Sequence, residues 1–227
     1  MENKNLKKNG QSCDFKGYGG IEDPERYVKW KYGQSWIESE TATILKVENF
    51  TQASFETDSN NCVLASITRV MKYYNNIGYT NIPTDAIEIY KTVKNIGVKY
   101  GYDPIKTGVM RDLFIYTPWV IDDIVKDTWK AFNYTKGDGC NDYFSKLKTI
   151  KNSIDKSNPL LLNIAFGDYK NHTVSVIGYK IYSKKGLRDK VLIQIYDGWS
   201  SYVRYIDWTK LGSIPTSITR ILPPLEI

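Results

Sequence analysis

The chain has 227 residues, with 31 Lys and Arg against 25 Asp and Glu and a formal charge of +6. Its hydrophobic content of 41% and charged content of 25% are typical of a globular protein, and no run of about 18 apolar residues occurs, so a mostly disordered chain and a membrane-spanning helix are both excluded. The length suits one domain or two closely packed subdomains, and three widely separated cysteines with a single histidine exclude a disulfide-stapled miniprotein and a zinc finger.

The N-terminal quarter of the chain holds one clear helix signal. Residues 1–22 are polar and Gly-rich, which predicts a flexible lead-in. Asp-Pro-Glu at 23–25 indicates an N-cap followed by proline at the first helical position, and this helix should end at Gly33. Residues 34–60 are expected to be irregular, apart from a short strand at 44–47.

From Cys62 onwards the pattern becomes helical. Apolar residues recur over 62–74 at the spacing of one broad helical stripe, and three polar residues fall outside that stripe, Ser66, Arg69 and Lys72. Three more helices are expected, at about 84–95, 118–132 and 141–155.

The periodicity changes after Pro159. Short segments rich in β-branched and aromatic residues, separated by turn residues, predict antiparallel strands to the end of the chain. Helices therefore come first, over about 23–157, and the sheet comes second, over about 158–227. Because helices and strands are segregated and do not alternate, we expect an α+β fold in a single domain over 23–227.

Cys62 is the first candidate for chemistry. It lies where the polar stretch ETDSNN meets the start of the most amphipathic helix, and Asn60 or Asn61 can serve as the N-cap. A thiol at a helix N-terminus lies at the positive end of the helix dipole, which lowers its pKa and favours the thiolate. The alternative interpretation of Cys62 is a small, buried and unreactive side chain.

His172 and Asp197 are the other two candidates. His172 begins one predicted strand, Asp197 ends the next, and the turn SKKGLRDK joins them. Facing residues of an antiparallel hairpin have a constant sum of positions, which for this pair centres the hairpin inside the turn. We therefore expect the Asp197 carboxylate to accept from one ring nitrogen of His172 and to leave the other facing the thiol. Taken separately, an ordinary hydrogen-bonded histidine and an Asp-Gly turn are the alternatives.

Three stretches resemble papain-like cysteine peptidases, and most of all the bacterial group that includes bacteriocin-leader-processing peptidases. They are NNCVLASI at 60–67, NHTVSVIGY at 171–179 and YDGW at 196–199. The resemblance covers about residues 52–210. It implies a two-lobed papain-like fold, with a helical lobe, a β-sheet lobe and a substrate cleft between them.

The resemblance also implies roles for the three candidates. Cys62 would be the nucleophile, His172 the general base and acid, and Asp197 the residue that orients the imidazole. The backbone N–H of Cys62, at the helix N-terminus, would be one oxyanion donor. The family usually has a glutamine six residues before the nucleophile as the second donor, where this chain has Glu56.

An ionised Glu56 donates no hydrogen bond, so another amide must take that place. The nearby candidates are Gln52, Asn60 and Asn61. Asn61 adjoins the thiol but can be committed to capping the helix, and Gln52 lies ten residues before Cys62. Both Gln52 and Asn61 stay open as the second oxyanion donor.

The expected function is a cysteine peptidase that cleaves peptide bonds through a thioester acyl-enzyme. Two alternatives remain: an acyltransferase of transglutaminase type with the same Cys-His-Asp order, and an inactive binding module of the same fold. Cys13, in the polar lead-in, and Cys140, after Gly-Asp-Gly in a predicted turn, are interpreted as bystanders.

The expected partner is a peptide or protein substrate. Lysines are scattered among acidic neighbours, so we expect no nucleic-acid binding, and we also expect no membrane span, no metal, no organic cofactor and a monomer. The first twenty residues contain no apolar signal segment. The compartment stays open, because a chain as written would be cytoplasmic and one that had lost a signal peptide would be secreted.

Overall fold

The computed structural model describes residues 17–55, 60–102, 118–144, 146–212 and 214–225. Its helices are α1 Pro24–Tyr32, α2 Cys62–Asn76, α3 Ala86–Lys99, α4 Ile121–Ala131, α5 Leu147–Ile154 and the single turn α6 Trp208–Leu211. Its strands are β1 Ile37–Thr43, β2 Asp138–Asp142, β3 Leu160–Ile164, β4 His172–Ser183, β5 Lys190–Tyr196, β6 Arg204–Asp207 and β7 Thr216–Leu222.

The strands form one antiparallel sheet. Its order is β2-β7-β3-β4-β5-β6, and β1 pairs with β4 beyond the end of β3. The predicted α+β class is confirmed. However, β1 and β2 come from the part of the chain that was predicted to precede the sheet. The prediction missed them because both are polar segments without strand periodicity. They join the sheet through backbone pairing with β4 and β7.

The prediction for α1 is confirmed at both ends. α1 begins after Asp23, whose carboxylate accepts the Arg26 N–H at 2.9 Å, and ends at Gly33 with φ +107°. The helix expected at 141–155 begins only at Leu147, because residues 138–142 pair with β7 and Phe144 is 85% exposed. Among the helices that the structure describes, none is long and apolar enough to cross a membrane.

α2 is the central helix of the fold. It packs against β4 on one side and α3 on the other, and the main hydrophobic core lies between these elements. Ser66 and Arg69, predicted to lie outside the apolar stripe, are therefore buried. A helix enclosed on several sides has no solvent-facing stripe for its polar residues, and these must be paired inside the protein instead.

The chain before α1 is attached to the sheet over the part that the structure describes. Ile21 pairs with Tyr205 of β6, and the Tyr18 hydroxyl donates to the Phe166 carbonyl at 2.7 Å. Both Tyr18 and Ile21 are buried. The flexible lead-in predicted for residues 1–22 therefore does not include 18–21, and residues 1–16 lie outside the described residues.

Candidate active site

Cys62 is the first residue of α2, where the backbone N–H groups of the first turn have no partner within the helix. Asn61 occupies the N-cap position, but its side chain makes no capping hydrogen bond. Its Nδ2 donates instead to the Gln52 carbonyl at 3.2 Å. The thiol thus lies at the positive end of the helix dipole, as predicted. The side-chain amide of Asn61, which was expected to cap the helix, instead hydrogen-bonds the segment that carries Gln52.

His172 is the first residue of β4 and lies directly against the thiol. Both side chains line the same cavity, and Nε2 of His172 lies 2.7 Å from the backbone carbonyl oxygen of Asp197. A carbonyl oxygen can only accept, so Nε2 must carry the proton. Nδ1 of His172 is then the nitrogen that is free to take a proton from Cys62.

The pKa of the Cys62 thiol is lowered although the side chain is buried. Burial is the largest influence and raises this pKa, because it disfavours the thiolate. The hydrogen bond and the charge of His172 lower it, and so do the backbone of Thr173 and the hydroxyl of Tyr102. The lowering influences outweigh burial, so the Cys62 thiolate forms at a lower pH than that of an ordinary cysteine.

Asp197 approaches His172 differently from the prediction. Its carboxylate does not accept from the imidazole: Oδ1 accepts the backbone N–H groups of Trp199 and Ser200, both at 2.9 Å, and Oδ2 accepts the Tyr169 hydroxyl at 3.3 Å. The carboxylate therefore closes a turn, and that turn presents the backbone carbonyl of Asp197 to His172.

The register of the hairpin explains this difference. The turn between β4 and β5 is centred on Gly186, which has φ +78°, and not between Lys184 and Lys185 as predicted. A bulge between Val176 and Gly178 then shifts the pairing by one residue. As a result Asp197 lies two positions away from the residue that would face His172.

Two aromatic rings pack near the imidazole of His172 and against each other. Trp199 stacks on it with ring centroids 4.0 Å apart, and Tyr169 is stacked on it at 5.8 Å. Trp199 is 55% exposed and therefore covers the ring from solvent, whereas Tyr169 is buried. Sequence reasoning assigned neither residue a role; the signal for Trp199 was its place after Asp-Gly, whereas Tyr169 and Tyr102 lay in no pattern.

Gln52 lies beside the same turn. Its backbone N–H donates to the Gly198 carbonyl at 2.8 Å, and its buried Nε2 has no hydrogen-bond partner among the described residues. Gly198 has φ +75°, and a Cβ there would lie 3.1 Å from Nε2 of Gln52, so this position favours glycine. Glu56, which takes the place of the usual glutamine, lies outside the described residues.

A cavity of about 210 Å³ opens beside Cys62 and His172. The helical part contributes Pro118 and Ile121, and the sheet contributes Ile164, Asn163 and Ser217. Asn163 Nδ2 donates to Ser217 Oγ at 3.1 Å, so this polar floor is internally paired. Since the described lining residues include no acidic or basic side chain other than His172, the cavity suits an uncharged side chain.

The other cysteines lie apart from this site. Cys140 is in β2, not in the predicted turn, and its Sγ accepts from Nη2 of Arg220 at 3.0 Å. Strands β7 and β3 separate it from β4, which carries His172. Cys13 lies outside the described residues. Of the two described cysteines, only Cys62 is beside the imidazole.

Comparison with known proteins places the chain by sequence. The sequence model described as "Peptidase_C39 like family" matches residues 44–213, a span that contains Cys62, His172 and Asp197. No curated protein matches the chain. The matched span takes in α2 and five of the seven strands, β2 to β6, and so includes the elements that carry the site.

Proposed function

The chain belongs to the Peptidase_C39-like family, and on that premise we propose that it is a cysteine peptidase in which Cys62 is the nucleophile and His172 the general base and acid. The family and the antiparallel α+β architecture are consistent with a papain-like fold. The observation that carries the proposal is that Cys62, at the start of a buried helix, and His172 line the same cavity, where His172 lowers the pKa of the thiol against the effect of burial.

The geometry supports a two-step acyl transfer. Nδ1 of His172 takes the thiol proton, and the Cys62 thiolate attacks the peptide carbonyl carbon. The tetrahedral intermediate collapses when the imidazolium gives its proton to the departing amine, which leaves a thioester on Cys62. A water molecule, deprotonated by His172, then attacks the thioester, and the acid product leaves with the thiol restored.

The negative oxygen of each tetrahedral intermediate needs two donors. The Cys62 backbone N–H, unpaired within the helix, is one of them. For the second we favour Gln52 over Asn61, because the amide of Asn61 already donates to the Gln52 carbonyl. Nε2 of Gln52 is buried with no described partner, and this is the state expected of a donor that is paired only when the oxyanion forms.

We expect the wild-type protein to cleave a pool of internally quenched peptides and the Cys62→Ala variant to leave the pool intact. Mass spectrometry of the products should show new N-termini at defined bonds. A parallel reaction with monodansylcadaverine tests acyl transfer, because both reactions share the acyl-enzyme and differ only in the acceptor. Amine incorporation without cleavage would identify an acyltransferase. The absence of both reactions would indicate a binding module.

Asp197→Asn should retain turnover within about threefold, whereas Asp197→Ala should lose about 10- to 100-fold. Asparagine keeps the backbone carbonyl that holds His172, and its Oδ1 can still accept the two N–H groups of the turn. Alanine leaves that turn unsupported. The measurement is the rate of each variant on the peptide pool, at a temperature at which thermal melts show both variants to be folded.

The opposite outcome is well defined. Where a carboxylate orients a catalytic imidazole directly, its replacement by an amide lowers turnover about 10⁴-fold. A loss of that size in Asp197→Asn would show that the carboxylate contacts His172 during turnover.

A further inference from the structure

Arg69 is a charged residue enclosed in the centre of the protein. Its side chain is 0% exposed and lies on α2 two turns after Cys62. Nη1 donates to the Ser175 hydroxyl at 2.8 Å, and Nη2 donates to the Phe50 carbonyl at 2.6 Å. The guanidinium also lies over the rings of Phe50 and Tyr196, at 5.0 and 5.8 Å from their centroids.

Burial of the Arg69 guanidinium in these surroundings is unfavourable for the stability of the fold. Among the described residues no carboxylate lies within ion-pair distance of Arg69, and its Nε has no described hydrogen-bond partner. Burial lowers the pKa of Arg69 to about 10, against the raising effects of Asp197 and Tyr196, so the group is still cationic at neutral pH. A buried cation held without an ion-pair partner costs stability.

The contacts of Arg69 lead to three parts of the candidate site. Phe50 is two residues before Gln52, Ser175 is three residues after His172, and Tyr196 immediately precedes Asp197. The guanidinium therefore joins the nucleophile's helix to the segment that carries Gln52 and to both strands of the β4–β5 hairpin. Its planar fork makes the two hydrogen bonds in fixed directions, which a lysine ammonium on a flexible stem cannot reproduce.

We propose that Arg69 is a positioning residue that holds segment 50–52 against α2, so that the Gln52 amide is in place for the oxyanion. The inference rests on the proposed function, because it assigns Arg69 a task only if Gln52 is an oxyanion donor.

Segment 50–52 needs such an anchor. It leads into a single 3-10 turn, Gln52–Ser54, which has no side-chain cap. Three described hydrogen bonds hold it near the site. The Gln52 N–H donates to the Gly198 carbonyl, Nδ2 of Asn61 donates to the Gln52 carbonyl, and Nη2 of Arg69 donates to the Phe50 carbonyl. Oxyanion donors are effective when they are held in position before the charge develops, so loosening one anchor should reduce turnover.

The test is a double-mutant cycle with Gln52→Ala and Arg69→Lys, read out by two reactions of the same thiol. The first is turnover of the internally quenched peptide pool, which requires the oxyanion donors. The second is alkylation of Cys62 by iodoacetamide, which requires the thiolate but forms no oxyanion. Arg220→Lys is the matched control, because it makes the same exchange at an arginine on β7 that contacts Asp142 and Cys140.

We expect Gln52→Ala to lower kcat/KM about 100- to 1,000-fold and Arg69→Lys to lower it about 10- to 100-fold. The double variant should be no more than about threefold below Gln52→Ala, since a residue that acts through Gln52 has nothing left to position. Alkylation of Cys62 should stay within about threefold of wild type in all three variants, and Arg220→Lys should match wild type in both reactions.

Several outcomes would overturn the inference. Losses that multiply in the double variant, unchanged turnover in Arg69→Lys, or an alkylation rate that falls as far as turnover would each show that Arg69 does not act through Gln52. If Gln52→Ala keeps wild-type turnover, the oxyanion assignment fails together with the inference. If Arg69→Lys does not fold, Arg69→Gln, which is neutral and still donates, enters the same cycle.

Discussion

Cys62→Ala should lower peptide hydrolysis by at least about 10⁴-fold, because Cys140, the other described thiol, does not lie beside the imidazole of His172. The change removes one sulfur atom from the first turn of α2 and leaves its backbone N–H in place. His172 then has no thiol to deprotonate, although its hydrogen bond to the Asp197 carbonyl persists. Initial rates on the peptide pool, with the folded fraction measured by circular dichroism, give the comparison.

Cys140→Ala is the control for this experiment. Cys140 is also a free cysteine, but it lies in β2 and contacts Arg220. We expect this variant to keep its full rate. Hydrolysis in Cys62→Ala at more than about a tenth of the wild-type rate would exclude Cys62 as the nucleophile and would end the peptidase proposal for this site.

His172→Gln should lower the alkylation rate of Cys62 at pH 6 by at least about tenfold and abolish most peptide hydrolysis. In the wild type the pKa of the thiol is lowered, so the thiolate is populated at a pH below that of an ordinary cysteine. Without His172 the two main lowering influences disappear, while burial still raises the pKa. Below both pKa values, each unit by which the pKa rises removes about nine tenths of the thiolate.

The sign of the pH dependence makes the measurement specific. Site-resolved mass spectrometry with limiting iodoacetamide over pH 5–9 should show that Cys62 reacts before Cys13 and Cys140 in the wild type at the acidic end. In His172→Gln the Cys62 profile should move to higher pH, and the other two profiles should stay where they are. Equal labelling of all three cysteines in the wild type, with ordinary thiol profiles, would contradict an activated site.

Some features of this protein follow from short stretches of its sequence. The caps of α1 and the start of α2 at Cys62 were predicted correctly, because a capping side chain, a glycine stop and a 3.6-residue apolar period are all encoded within one or two turns of helix. The α+β class followed from the change of period after Pro159. The resemblance that identified the family depended on three short stretches around the candidate residues.

The tertiary structure alone decided how the site is assembled. The contact between His172 and the carbonyl of Asp197, not its carboxylate, depends on a turn centred at Gly186 and on one bulge, and each of these moves the pairing register without changing the pattern of either strand. The hydrogen bond from Asn61 to Gln52, and the contacts that bury Arg69, depend on segments outside α2. Local periodicity carries no information about which elements will enclose a helix, so the partners of its buried polar groups appear only when the chain is folded.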